Sequence, residues 1–177
     1  MIYENENIII RPFTKEDITA RYRSWFNDPE TTKYNSHGLF PYTPEQAEAF
    51  IKDLEGSTTR IIWAIINRKT GAHIGNISLQ SINLHNRSAE LAIVIGEAEG
   101  RGKGYGFQAC ELAIHHGFDK LGLNRIWTGT AITNIPMRRV CEKLGMQPEG
   151  CFREGMFLRG EYIDVIAYGL LREEKIK

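Results

Sequence analysis

The chain has 177 residues, with 22 Lys plus Arg against 22 Asp plus Glu and a formal net charge of +0. That length fits one domain, read as residues 1–177, able to bury a core without staples, and the balanced charge lacks the basic footprint of a nucleic-acid binder. Cys110, Cys141 and Cys151 are too scattered for a disulfide framework or a metal knuckle, the start "MIYENENIII" has no secretory pattern, and no apolar run approaches membrane-spanning length; a reduced, cytoplasmic, metal-free protein away from membranes is the expectation.

Taken in order, "NIIIRPF" reads as a strand, and Thr14 with Asp17 has capping-box spacing for a helix over "TKEDITARYRSWFNDPE". A second helix follows in "YTPEQAEAFIKDLEG", where Thr43 and Gln46 repeat the device, Pro44 takes the first helical position and Gly56 stops it. Three runs, "RIIWAII", "HIGNISLQSI" and "AELAIVIG", are joined by short polar connections and form an antiparallel meander.

A glycine-rich loop comes next, and then Phe107, Cys110, Ala113 or Ile114, Gly117 or Phe118, and Leu121 recur at helical spacing. "NRIWTGTAI" is a strand and "NIPMRRVCEKLG" a short helix. "MFLRGEYIDVIAYGLL" is a closing hairpin turning at Arg159-Gly160. The order predicts a mixed α/β domain with an antiparallel front and a strand-helix-strand crossover.

The loop "EGRGKGYGFQA" is the most informative stretch. A phosphate-binding GxxxxGK[ST] fails because Gly102-Lys103 is followed by Gly104 and Glu97 stands where the first glycine belongs. A dinucleotide GxGxxG fails because Phe107 follows Gly102-x-Gly104 at the required place. Arg101-x-x-Gly104-x-Gly106 remains, poised between strand and helix. There the glycines admit a ligand to the backbone and the helix start favours an anion; a plain turn flanked by solvated charges is the alternative.

With "AELAIVIG" before it, "NIPMRRVCEKLGMQPEG" after it, an opening "IIIRPFTKEDITARYRSWFNDPE" and a closing "LRGEYIDVIAYGLL", this loop resembles the GNAT superfamily of N-acetyltransferases, in particular its ribosomal-protein and polyamine branch. The resemblance spans nearly the whole chain. It implies the GNAT fold: a central, mostly antiparallel twisted sheet with splayed middle strands flanked by helices. It also implies acetyl-CoA as co-substrate. Amides of Arg101, Gly102, Lys103, Gly104, Tyr105 and Gly106 would bind its pyrophosphate, and Ile93, Val94 and Ile95 would pair with pantetheine as an added strand does. Asn134 would contact that arm, and Arg138, Arg139 or Lys143 could meet phosphates, or equally form a solvated helix face.

Transfer to an amine needs a base, since an aliphatic ammonium keeps its proton to a pKa of about 10.4. Glu90, early in the strand leading to the loop, is the candidate, against a plain surface charge; His73 is the weaker one. An amide near Val94 or Ile95 would stabilise the oxyanion. At the positions where many relatives carry a serine or tyrosine donor for the leaving thiolate, this chain has Met137 and Cys141. Cys141 is therefore the candidate acid, with an inert core thiol as its alternative.

The resemblance also implies the acceptor: "WFNDPETTKYNS" with "HIGNISLQSINLHNRSAELAIVIG" is similar to relatives that acetylate nucleotide-linked amino sugars, so a small-molecule amine, best such a sugar, is expected near Trp25, Phe26, Tyr34, His37, Phe40 and Tyr42, or these aromatics simply build core and loop. A ribosomal or other protein N-terminus, spermidine, and a non-catalytic CoA sensor stay open, as do monomer and homodimer.

Overall fold

The computed structural model describes residues 1–175. Eight strands form one sheet. They are β1 (Tyr3–Glu4), β2 (Ile8–Pro12), β3 (Ile61–Asn67), β4 (His73–Asn83), β5 (Ser88–Ile95), β6 (Arg125–Ala131), β7 (Gln147–Leu158) and β8 (Glu161–Leu171), in the order β1-β2-β3-β4-β5-β6-β8-β7. Helices α1 (Ala20–Asn27), α2 (Pro44–Leu54), α3 (Tyr105–His115) and α4 (Ile135–Lys143) complete it. The first five strands pair antiparallel in chain order, and β3, β4 and β5 are the meander expected from their short polar connections, whereas α1 and α2 lie between β2 and β3.

Alternation along the strands sorts the two faces. Ile8, Ile10, Trp63, Ile65, Ile77, Leu79, Ala89, Leu91 and Ile126 pack with Ala109, Cys110, Ala113 and Ile114 of α3. On the opposite face Ala64 meets Phe13 and the α1 residues Tyr22, Trp25 and Phe26. The sheet is thus covered on both sides along its first half, with the α1 side carried by aromatics.

Among the described residues one pairing is parallel, and it is short. β5 and β6 align at Ser88 with Arg125, Ala89 with Ile126 and Glu90 with Trp127. Beyond Glu90 the two strands part, although β5 continues to Ile95 and β6 to Ala131, and each stays bonded to its outer neighbour throughout. A V-shaped gap therefore opens in mid-sheet, its inner edges presenting backbone donors and acceptors that neither strand supplies to the other.

Three local expectations are corrected. The Thr14–Asp17 capping box is present but starts only a 3-10 turn (Lys15–Asp17); α1 begins later, at Ala20, capped by the hydroxyl of Thr19. The Asp17 carboxylate accepts from the Thr14 amide and from Arg11, which donates to both its oxygens, while the chain leaves helical geometry at Ile18 (φ −79°, ψ 69°). The crossover helix does not run on uniformly: α3 ends at His115 and a π-helical turn (His116–Lys120) follows. The closing hairpin is longer than "MFLRGEYIDVIAYGLL", because β7 starts at Gln147, and β8 inserts between β6 and β7. Register shifts after Pro148 and after Phe152 break the alternation that would have revealed that strand. The turn itself is where expected, with Arg159 and Gly160 both at positive φ.

Candidate active site

Glu90 stands where β5 and β6 begin to diverge, opposite Gln80 on one side and Trp127 on the other. Its neighbours Ala89 and Leu91 both enter the α3-side core, so Glu90 projects from the other face, towards the α1 side. It is half-buried. Trp127 shares that face by the same alternation, between Ile126 and Thr128. The sequence reading passed over Trp127; the alternation in "RIWTGTA", set beside β5, was the available signal.

The gap runs from Glu90 to the glycine loop. Gly102 and Gly104 both have positive φ, at 72° and 79°. Gly104 is the N-cap of α3 in the left-handed region and brings no side chain to the first-turn amides of Tyr105, Gly106 and Phe107, so these point outward as an anion site. A β-carbon on Gly104 would meet nothing closer than the Gln108 amide at 3.9 Å. The space above the helix start is open.

Several candidates have structural engagements. Arg101 turns back towards the sheet, its Nε donating to the Ile95 carbonyl (3.3 Å) and its Nη2 to the Gly96 carbonyl (3.1 Å) and the Thr31 hydroxyl (2.8 Å). Asn134 caps α4, accepting from the Met137 amide (3.3 Å) and donating to Thr130 (3.1 Å). Arg138 donates to the Ile132 carbonyl and the Tyr168 hydroxyl. The Lys143 ammonium lies 4.0 Å from the centroid of the Phe107 ring. Ile93 and Ile95 lean on the α3-side core and Val94 alternates away from them. Lys103 is exposed at the loop tip, and the Tyr105 hydroxyl accepts from Asn67 (3.3 Å).

Cys141 lies in the core at 0 % exposure, and burial pushes its thiol up to about 12. A thiol held that far above the roughly 8.5 of a free thiol parts with its proton reluctantly, and it has no path to the gap. Cys110 is equally buried, its thiol also raised by burial. Both fit the inert alternative.

Beside the loop sits a polar knot that spacing could not reveal. Glu97, 8 % exposed, accepts from Arg21 Nε (2.6 Å), Arg21 Nη2 (2.5 Å) and the Trp25 indole N–H (2.7 Å). The Arg21 bonds hold its carboxyl below the usual range, burial opposes them, and the Trp25 bond adds to the lowering. A folded-state value below the unfolded one gives stability that is present above the ordinary carboxylate range and lost as pH falls through the folded value. Glu97→Ala leaves the indole N–H without a partner and is expected to cost about 2 kcal/mol at neutral pH. Urea melts at pH 7 and near pH 3 check this: the gap between variant and parent should narrow at the lower pH, and an unchanged gap would rule out the ionic origin.

His73 bonds through Nε2 to the Gly75 carbonyl (3.0 Å) and Asn76 Oδ1 (2.9 Å), and packs among Tyr22, Trp25 and Phe13. Its ring is committed to the α1 packing. Asp17 lies 3.9 Å away; burial tends to raise that carboxyl, but the bonds from Arg11 and the Thr14 amide outweigh it and hold it low.

Away from the glycine loop, the segment after α1 meets the β7–β8 turn. Asn27, Pro29, Thr32, Lys33, Asn35, Gly38, Leu39, Phe157, Leu158 and Arg159 line a cleft of about 220 Å³. Arg159 donates to the Pro29 carbonyl (3.0 Å) and Glu30 (3.4 Å), and Lys33 to Glu30 (3.2 Å). Trp25 and Phe26 are core, His37 packs on Phe26, and Phe40 is exposed.

A mid-sheet gap ending at an uncapped helix start is one architecture; the sequence family confirms which. Residues 7–147 match the model of the acetyltransferase (GNAT) domain. The chain belongs to the GNAT family. It is an acyltransferase enzyme, and the family's acyl donor is acetyl-CoA. The uncharacterised N-acetyltransferase p20 of Bacillus licheniformis is 32 % identical over 175 residues, covering 96 % of this chain and 95 % of that one. The Spermidine N(1)-acetyltransferase of Escherichia coli K12 is 26 % identical over 169 residues, covering 90 % and 83 %. Among solved structures, the spermidine N-acetyltransferase of Vibrio cholerae in complex with CoA and spermine superposes with a TM-score of 0.86 over 96 % of this chain and 98 % of that one; at 24 % identity the likeness is one of fold. No helix among the described residues is long and apolar enough to cross a membrane.

Proposed function

We propose that this GNAT enzyme transfers acetyl from acetyl-CoA directly to the primary amine of a small molecule carrying an anionic or neutral body, a nucleotide-linked amino sugar being the best match, and that spermidine is a poor acceptor. The observation that carries the acceptor class is the state of the carboxylates at the cleft. Glu30 is bonded by both Lys33 and Arg159, and Asp28 accepts from the Thr31 hydroxyl (2.7 Å) and the amides of Thr31 and Glu30. Their charge is already answered within the protein, and of these charged groups it is the cations Lys33 and Arg159 that line the cleft. A polycation would have to displace these partners, whereas a phosphate or carboxylate would find Lys33 and Arg159.

In this reading acetyl-CoA lies in the gap as a co-substrate. The open glycine loop and the unpaired strand edges fit a diphosphate joined to an amide-bearing arm. The amides of residues 101–106 hold the pyrophosphate, and the inner edge of β5 pairs with the arm. The Val94 or Ile95 amide, fixed by β5, faces the developing oxyanion. Glu90 takes the ammonium proton, directly or through water, at the mouth of the gap. The transfer needs no acid from Cys141; the thiolate is protonated by solvent, and proximity supplies much of the rate.

The test follows thiol release from acetyl-CoA with UDP-4-amino sugars, ribosomal-protein N-terminal peptides and spermidine. Turnover confined to the first class is the expected result, and spermidine as the fastest acceptor would overturn the assignment. Glu90→Gln is expected to lower kcat about 100-fold at pH 7, with the KM for acetyl-CoA unchanged. The deficit should shrink at high pH, where the acceptor loses its proton unaided; a deficit constant with pH would remove Glu90 as the base.

A further inference from the structure

The cofactor loop and the acceptor-side segment are physically joined, at one side chain. Arg101 opens the glycine loop, yet its guanidinium makes three bonds to two other elements: to the Ile95 and Gly96 carbonyls at the end of β5, and to the Thr31 hydroxyl in the segment after α1. Thr31 is itself held. Its hydroxyl donates to Asp28 Oδ2 (2.7 Å) while accepting from Arg101 (2.8 Å), and its amide bonds to the same carboxylate oxygen (3.1 Å). Asp28 Oδ2 lies 4.0 Å from Arg101 Nη2, so the carboxylate backs the whole relay with charge. Pro29, Thr32 and Lys33, on either side of Thr31, line the acceptor-side cleft.

We propose that Arg101 is a positioning residue that couples the two substrate sites: the Asp28–Thr31–Arg101 relay sets the cofactor loop, so that order in the acceptor-side segment tightens acetyl-CoA and bound acetyl-CoA orders that segment. This rests on the reading that residues 101–106 hold the pyrophosphate. Three features carry it. The guanidinium has three fixed acceptors, a geometry that its planar fork matches and a lysine cannot. The hydroxyl of Thr31 uses both its donor and its acceptor capacity, so its orientation is determined. Finally, Gly102 and Gly104 leave the rest of the loop soft, which makes its first residue the point at which it is tethered. Coupling of this kind is reciprocal for binding free energies.

Thr31→Val keeps the shape and removes the relay, while Thr31→Ser keeps the hydroxyl; Thr31 lies outside residues 101–106, to which the pyrophosphate is assigned. Isothermal titration with CoA alone is expected to show about ten-fold weaker binding for Thr31→Val, the loss of one hydrogen bond to a charged group. Thr31→Ser should stay within about twofold of the parent, and in an Arg101→Lys background Thr31→Val should add less than about twofold. Melting temperatures should barely separate Thr31→Val from Thr31→Ser, so that an affinity difference reports positioning and not folding. Parent-like affinity in Thr31→Val, or equal loss in Thr31→Ser, overturns the coupling. Gly104→Leu separates the two levels. If it weakens CoA binding at least about 100-fold while Thr31→Val binds CoA like the parent, the coupling alone fails; if it binds CoA like the parent, the loop assignment fails and the coupling with it.

Discussion

Gly104→Leu is expected to weaken CoA binding at least about 100-fold, the equivalent of losing two amide bonds to a charged group. Gly104 is the N-cap of α3 at φ 79°, a conformation that costs an L-residue about 1–2 kcal/mol. With so little packed around a β-carbon there, the fold absorbs the substitution. A thermal shift of about 2–4 °C per kcal/mol is then the whole structural penalty. The side chain instead fills the space in front of the Tyr105, Gly106 and Phe107 amides, which is the space a diphosphate needs. Titration calorimetry with CoA, run beside thermal melts, checks both halves. Large loss of stability with little loss of affinity would mean that the anion sits elsewhere.

Gly96→Ala is expected to produce the opposite profile. A β-carbon at Gly96 would overlap three atoms of the Trp25 indole, and the ring cannot slide because its N–H is bonded to the buried Glu97. Overpacking a rigid contact of this type costs about 3 kcal/mol, which for a chain of this size lowers Tm by about 6–12 °C. The cause is checked by a cycle. In a Trp25→Ala background the space is vacant, and Gly96→Ala should cost less than about 1 kcal/mol. An equal cost in both backgrounds would place the strain in the backbone and not against the indole. Because α1 is pinned to the end of β5 by this contact and by the Arg21–Glu97–Trp25 bonds, the variant should also loosen the chain leading into the cofactor loop.

The fold was legible where periodicity is strong. The meander, the crossover and the closing turn at Arg159-Gly160 follow from alternation, helical spacing and turn chemistry. α1 was displaced because the Thr14–Asp17 box closes a single turn and the chain leaves helical geometry at Ile18; the spacing marks a start but not how far the turn continues. The first half of β7 was hidden by its register shifts. At the site, the glycine loop announces itself because φ above zero demands glycine. Relations between distant segments do not: Arg21 with Glu97, and Arg101 with Thr31, are 76 and 70 residues apart, and nothing in either local pattern marks them as partners. Cys141 was ambiguous for a similar reason, since a thiol reads alike in a core and in a site until its burial is known.

The short β5–β6 seam has a mechanical meaning. Two leaves of sheet, one built from β1 to β5 and the other from β6, β8 and β7, share backbone bonds only around Ser88 to Glu90. Stiffness is high within each leaf and low across that line, so the molecule behaves as a pair of jaws hinged near Glu90. A ligand that bonds along the inner lip of one jaw while filling the space between them acts as the missing crosspiece. Among residues 91–95, the amide hydrogens on the inner edge, which β4 does not bond, should therefore exchange quickly in the free enzyme and slow sharply once the jaws hold acetyl-CoA.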